Sequence, residues 1–234
     1  MRAADALIIL QARLGSVRLA GKALRPVAGR SLLWRCLDRL LAGGTAPLVL
    51  ATTTRAEDDG LEDEALAHGV PCLRGPDADV LGRFVEVVEA LQPVYVIRAT
   101  ADNPCVDIDA PGRVLAHLRS APLDYVVERG LPVGAAVEGM RAQALLQAAA
   151  RATSAYDREH VTPYLKRPEN RFRTFEPWAP RALCRPDLRL TIDTPEDLAY
   201  MDAVLRRAGG TATRVPLQGI IRAADCVARE REVA

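Results

Sequence analysis

The chain has 234 residues, 49% apolar and 26% charged, with 31 basic and 30 acidic side chains for a net charge of +1. That length and balance suit one large folded domain with a sizeable core, and near-neutrality excludes non-specific binding to nucleic acid or to an anionic membrane. Five cysteines (Cys36, Cys72, Cys105, Cys184, Cys226), odd in number and far apart, support neither a disulfide framework nor a zinc site and fit a reducing cytoplasm.

The first apolar run, Leu7 to Leu10, is too short to cross a membrane and lacks a signal-peptide layout, so a cytoplasmic protein is expected. Ala6–Leu10 reads as a fully buried strand. Ser31 can cap a helix to Leu41 that ends at Gly43-Gly44. Leu48–Ala51 predicts a second strand followed by a threonine-rich turn, then a helix from Asp58 to His68 closed by Gly69. Pro71–Leu73 is a short strand, and Asp79 caps a helix with Val80, Phe84, Val87, Val88 and Leu91 on one face. Val94–Ile97 is a strand and Asp109–Arg119 a helix. Further on, Asp124–Val127 predicts a strand, Arg141–Arg151 and Ser154–Lys166 predict helices, and Arg171–Phe175 predicts a strand. Glu176–Pro186, with three prolines, is a loop, Leu188–Ile192 a strand, Pro195–Arg207 a helix and Leu217–Val227 a weaker one. Strands alternating with helices of this length form right-handed βαβ units in a mostly parallel sheet covered on both faces, with ligands held where strands end.

Three strand-end segments carry chemistry. Gln11 to Lys22 holds Arg13, Arg18 and Lys22 with Gly15, Ser16 and Gly21 and no acid. Glycines let backbone N–H groups approach phosphate oxygens, and the cations offset charge on a leaving pyrophosphate. Composition alone leaves a solvated basic turn equally open. After the fourth strand, Asp102 can point a carboxylate into the same crevice, where magnesium takes one or two carboxylates plus phosphate oxygens; taken alone, it reads sooner as a helix-capping or turn aspartate. Asp193 precedes Thr194 and Pro195, a strong helix start, and so has the same two readings.

Together these segments resemble the spore-coat polysaccharide type of cytidylyltransferase, related to the CMP-sialate and CMP-ketodeoxyoctonate synthetases. The resemblance spans roughly residues 5–207. It is carried by Gln11-Ala12-Arg13 with Arg18-Leu19-x-Gly21-Lys22, Ala51-Thr52-Thr53-Thr54, Arg74-Gly75, Asp79-Val80-Leu81-Gly82-Arg83, Thr100-Ala101-Asp102-x-Pro104, Tyr156 to Tyr164, and Asp193 to Leu198. It implies a glycosyltransferase-A-like, doubly wound α/β fold in one domain over 1–234, with residues 125–186 as an acceptor or dimerisation lobe, and a homodimer. It also implies CTP as donor, a sugar acid or similar small acceptor, magnesium, and in-line attack on the α-phosphorus with release of pyrophosphate. By this resemblance Gln11, Ala12, Arg13, Gly15, Ser16, Arg18, Lys22, Thr52, Thr100 and Asp102 bind nucleotide, and Arg74 contacts the cytosine. Arg13, Lys22 and Asp102 are catalytic, and Asp102 and Asp193 hold the metal. Glu138, Arg158 and His160 fall on the acceptor side.

Two departures stand out. Ala20 replaces a usual proline, and Gly134-Ala135-Ala136-Val137-Glu138 replaces Gly-x-Asp-x-Glu, removing a carboxylate at Ala136. The second departure keeps open a nucleotide-binding homologue without turnover. A nucleotidyltransferase for another base or acceptor is a further alternative. A glycosyltransferase with Asp107-Ile108-Asp109 as its metal motif is another, although that pair reads better as a helix cap. No general base stands out: His160 is a candidate, His68 suits a helix C-terminus, and His117 reads as surface.

Overall fold

The computed structural model describes residues 4–16, 18–210 and 213–233; Val17, in the expected phosphate loop, lies outside the described residues. Strand β1 (Ala6–Gln11) alternates Leu7 and Ile9 toward one apolar layer with Ile8 and Leu10 toward the other, all buried. A strand with two dry faces belongs at the centre of a sheet covered on both sides.

In chain order follow a small hairpin of β2 (Pro26–Val27) and β3 (Arg30–Ser31), α1 (Leu32–Gly43), β4 (Leu48–Thr53), α2 (Asp59–Ala67), β5 (Cys72–Gly75), α3 (Val80–Leu91) and β6 (Tyr95–Thr100). Then come α4 (Ala110–Ser120), β7 (Tyr125–Val127), β8 (Glu138–Arg141), α5 (Ala142–Arg151), α6 (Ala155–His160), α7 (Pro163–Lys166), β9 (Thr174–Phe175), α8 (Pro195–Arg207) and α9 (Leu217–Val233). The main sheet has the order β5-β4-β1-β6-β8-β7-β9, with β8 antiparallel to both neighbours and the other pairs parallel. Helices α1, α2, α4, α8 and α9 cover one face, while α3, α5, α6 and α7 cover the other. This is the doubly wound, mostly parallel α/β arrangement. Among the described residues no helix is long and apolar enough to cross a membrane.

Three capping residues act as read: Ser31 accepts from the Trp34 N–H, Asp79 from Gly82, and Thr194 forms a capping box with Asp197, whereas Asp109 precedes α4 without a side-chain cap bond. Three local expectations fail. Thr52 and Thr53 continue β4 instead of turning. Ser154–Lys166 is two short helices, broken where Val161 takes a left-handed φ of 69°. Leu188–Ile192 is extended but is no strand: it trades hydrogen bonds with Val133 and then gives the Ile192 N–H to Asp102, so no neighbour runs beside it for long. Strand β8 is an addition that the sequence pattern does not predict.

Candidate active site

The carboxyl ends of β1 and β6 open into a cleft of about 400 Å³. Gln11, Arg98 and Thr100 floor it, the loop after β1 and Asp193 close one side, and Val80, Arg83, Glu159 and His160 form the other.

The loop after β1 is anchored before it is charged. The Ala12 N–H donates to Ala51 in β4, and the Leu14 N–H donates to Asp58, a fully buried carboxylate that also accepts from the Thr53 hydroxyl. Ser16 and Gly21 both donate to the Leu14 carbonyl, folding the loop back on itself. Gly21 takes φ 64°, a conformation that favours glycine, and starts the helical turn carrying Lys22. Buried Leu19 and Ala23 flank that turn and hold it to the core.

Lys22 is the hub. Its ammonium lies 3.2 Å from Asp102 Oδ2, 3.0 Å from Asp193 Oδ1 and 3.0 Å from the Ile192 carbonyl, with its side chain only 15% exposed. Asp102 is oriented by the Thr100 hydroxyl at 2.6 Å, and its own carbonyl accepts from the Ile192 N–H and the Thr191 hydroxyl. Asp193 also meets Arg189 at 2.6 Å and Arg18 at 3.1 Å, and its N–H donates to Asp197. Burial opposes its ionisation, yet hydrogen bonds from Lys22 and Arg189 pull its carboxyl below the usual range. The two carboxylates expected to share an ion thus come from distant parts of the chain, after β6 and before α8, and converge on one cation. Hard oxygen donors in such a pair, with room for phosphate oxygens beside them, suit magnesium.

Other expected residues divide. Gln11, Ala12, Arg13, Gly15, Ser16, Arg18, Thr100 and His160 all line the cleft. Arg13 sits on its far wall, paired with Glu159 at 2.5 Å and not with the Lys22 cluster. His160 is exposed, its ring 4.4 Å from Tyr156. Thr52 does not reach the cleft: strand alternation turns it inward with Leu48 and Leu50, fully buried. Arg74 does not either, because the acidic start of α2 claims it. Its guanidinium is spent on Asp59, Glu62 and the carbonyls of Thr53 and Arg55. Arg158 ties α6 to the Asp79 cap and to the Ala149 carbonyl. Glu138 is enclosed by Tyr125, Thr162, Lys166 and Arg98 and is absent from the cleft lining. Asp107 is buried against Arg113, which removes Asp107-Ile108-Asp109 from metal chemistry in this conformation. His117 is half-buried against Phe175 instead of lying at the surface.

Three charged cleft residues, Arg83, Arg98 and Glu159, have no site role in the sequence reading. Arg83 is buried, donates to the carbonyls of Pro76 and Asp77, and leaves its Nε unpartnered. A charged residue inside an apolar strand (Arg98) and one on the buried face of a helix (Arg83) were the available signals.

A doubly wound sheet with a cationic loop after its first strand and paired carboxylates opposite describes a nucleotidyltransferase. A cytidylyltransferase from Leptospira borgpetersenii serovar Hardjo-bovis superposes with a TM-score of 0.84 at 23% identity, covering 98% of this chain and 96% of the other. The structure of CMP:2-keto-3-deoxy-manno-octonic acid synthetase complexed with CTP superposes at 0.67 with 20% identity, covering 86% and 98%. The family model described as Cytidylyltransferase matches residues 7–219. Spore coat polysaccharide biosynthesis protein SpsF of Bacillus subtilis is 35% identical over 211 residues, 88% of each chain. A 3-deoxy-manno-octulosonate cytidylyltransferase of Methylibium petroleiphilum is 31% identical over 118 residues, 47% of this chain and 43% of the relative. The chain belongs to the cytidylyltransferase family and is an enzyme.

Proposed function

We propose that the protein transfers CMP from CTP to a hydroxyl of a sugar acid or a similar small acceptor and releases pyrophosphate. The observation that carries this reading is the convergence of Lys22, Asp102 and Asp193 at the mouth of the anchored cationic loop. The names of its relatives support a place in making precursors of surface polysaccharide or glycan. Five unpaired cysteines support a reducing, cytoplasmic setting. A homodimer is supported by exposed Phe175 and Trp178 at the β9 edge.

Asp102 and Asp193 would hold magnesium, whose charge would neutralise that on the phosphate oxygens. In the reaction the acceptor hydroxyl gives up its proton to solvent and its oxygen forms a bond to the α-phosphorus while the bond to the β-phosphate bridging oxygen breaks, and pyrophosphate leaves with that electron pair. Lys22 turns from the carboxylates to the departing phosphates, and Arg18, whose side chain is mostly exposed, follows. Gly15 and Ser16 line the path along which backbone N–H groups meet phosphate. Arg13, on the opposite wall, exchanges Glu159 for phosphate. The test is a pyrophosphate-release screen of four nucleoside triphosphates against sugar acids and phosphonates, with and without magnesium. Release that is specific to CTP and requires acceptor and metal is the expected result. Equal release with all four nucleotides, or none with CTP, overturns it.

A further inference from the structure

Strand β6 is apolar except for Arg98 and Thr100, which its alternation places on the same face of the sheet. The guanidinium is 15% exposed at its side chain and is fixed on two edges. Its Nε donates to Gln11 Oε1 at 2.9 Å and its Nη1 donates to Glu138. Glu138 is satisfied beyond that bond. It accepts from the Tyr125 hydroxyl at 2.5 Å, the Thr162 hydroxyl at 2.9 Å and the Lys166 ammonium at 2.5 Å.

One buried carboxylate therefore faces two cations, and Lys166 alone would balance it. Arg98 is the surplus charge, and it lines the cleft. Among the described residues its Nη2 makes no hydrogen bond, and that atom is not one of the buried unsatisfied groups. A charge drawn into a protein wall keeps its cost down by pairing, so an open donor on a locked guanidinium marks the place of an anion. Glu159, a carboxylate in the opposite wall, is held by Arg13.

Position decides which anion. Two residues further along β6, Thr100 holds Asp102 beside Lys22. Two residues of strand span roughly 6.6 Å, about the length of one sugar ring from the reacting phosphate. We propose that Arg98 sets acceptor specificity: its Nη2 binds a carboxylate or phosphonate oxygen of the acceptor while the acceptor's hydroxyl reaches the α-phosphorus. This assignment rests on the nucleotidyl-transfer reading and adds the residue that selects for a charged acceptor.

The test uses the full-length protein with magnesium and α,β-methylene CTP. Calorimetry titrates matched sets of a sugar carboxylate, its neutral methyl ester and the corresponding phosphonate, beginning with 3-deoxy-manno-octulosonate. The charged members should bind at least about tenfold more tightly than the ester, the scale of one charge-assisted hydrogen bond. In an Arg98→Gln variant, which leaves Glu138 balanced by Lys166, the preference should fall to about twofold. Arg98→Lys, which keeps charge beside Glu138 but loses the planar donor, is a second measure and should also reduce the preference. The assignment is overturned if no set prefers its charged member, or if the preference survives in the variants. Whether a carboxylate or a phosphonate binds more tightly tells the two sources apart. Failure of the wild type to bind the CTP analogue brings down the nucleotidyl-transfer reading, and this inference with it.

Discussion

Without its ammonium, the Lys22 position would leave Asp102 and Asp193 facing each other across an empty gap. Lys22→Met should therefore have opposite effects on two readouts. Turnover with CTP should drop by about 10²-fold or more, as when a preorganised charge-stabilising group is lost. Manganese binding without nucleotide, followed by calorimetry, should tighten, because two carboxylates lose their competing cation. Unchanged metal affinity would show that this pair is not the metal site. Asp102→Asn and Asp193→Asn should each impair metal-dependent activity, with the double variant little worse than the worse single one, since both act on one ion. Glu138 gives a pH signature of its own. Burial disfavours its charge, but Arg98 and Lys166 outweigh burial and hold its carboxyl at about 2. A carboxyl depressed by folding contributes stability above its ordinary value of about 4.3 and loses it as pH falls toward 2. Glu138→Gln should then lower the melting temperature at pH 7, with the gap to wild type narrowing across that acid range. A constant gap would contradict the ionic role.

The turn between β7 and β8 is where one element leans on the site. Gly134 has φ 92°, and a Cβ there would lie 2.9 Å from Asn103 Oδ1, from the Leu190 carbonyl and from the Thr191 Cβ. Gly134→Ala should cost roughly 1–3 kcal/mol of stability and reduce activity by displacing the segments that hold Asp102. A variant as stable and active as wild type would show that the turn yields freely. Elements announced by local chemistry were readable from sequence: Ser31, Asp79 and Thr194 with Pro195 start helices by bonds made within four residues. Strand β8, Glu-Gly-Met-Arg, has no β-pattern; it is a strand because β6 and β7 flank it. Leu188–Ile192 has the composition of a strand but lacks a continuous neighbour. The site divides the same way. Asp102 follows the end of β6, Lys22 lies in the loop after β1 and Asp193 just before α8, positions that local motifs mark, and they do converge. Thr52 follows the phase of its strand into the core, and Arg74 and Arg158 are taken by carboxylates on other elements that no local pattern reveals.

At the scale of the whole molecule, the sheet order carries β1 and β6 to the centre and leaves β9 at one edge, so the cleft opens over the best-supported strands. The final site residue arrives from much further along the chain. Lys22 reaches Asp102 across 80 residues, and Ile192 and Asp193 across 170 and 171. Contacts of such separation form slowly, since the loops between them must be ordered first, and chains of this size often pass through partly structured intermediates. Nucleotide binding is therefore expected to be a late event in the folding of the chain. On refolding from denaturant, helical circular dichroism should recover before binding of a fluorescent CTP analogue, because the carboxylate pair is complete only once the segment leading into α8 has docked. Binding that returns with the first helical signal would mean that the amino-terminal half builds a working pocket alone. If binding lags, a chain stalled before Asp193 is long enough to fold much of its sheet yet unable to engage its substrate, and an unfinished molecule cannot sequester CTP.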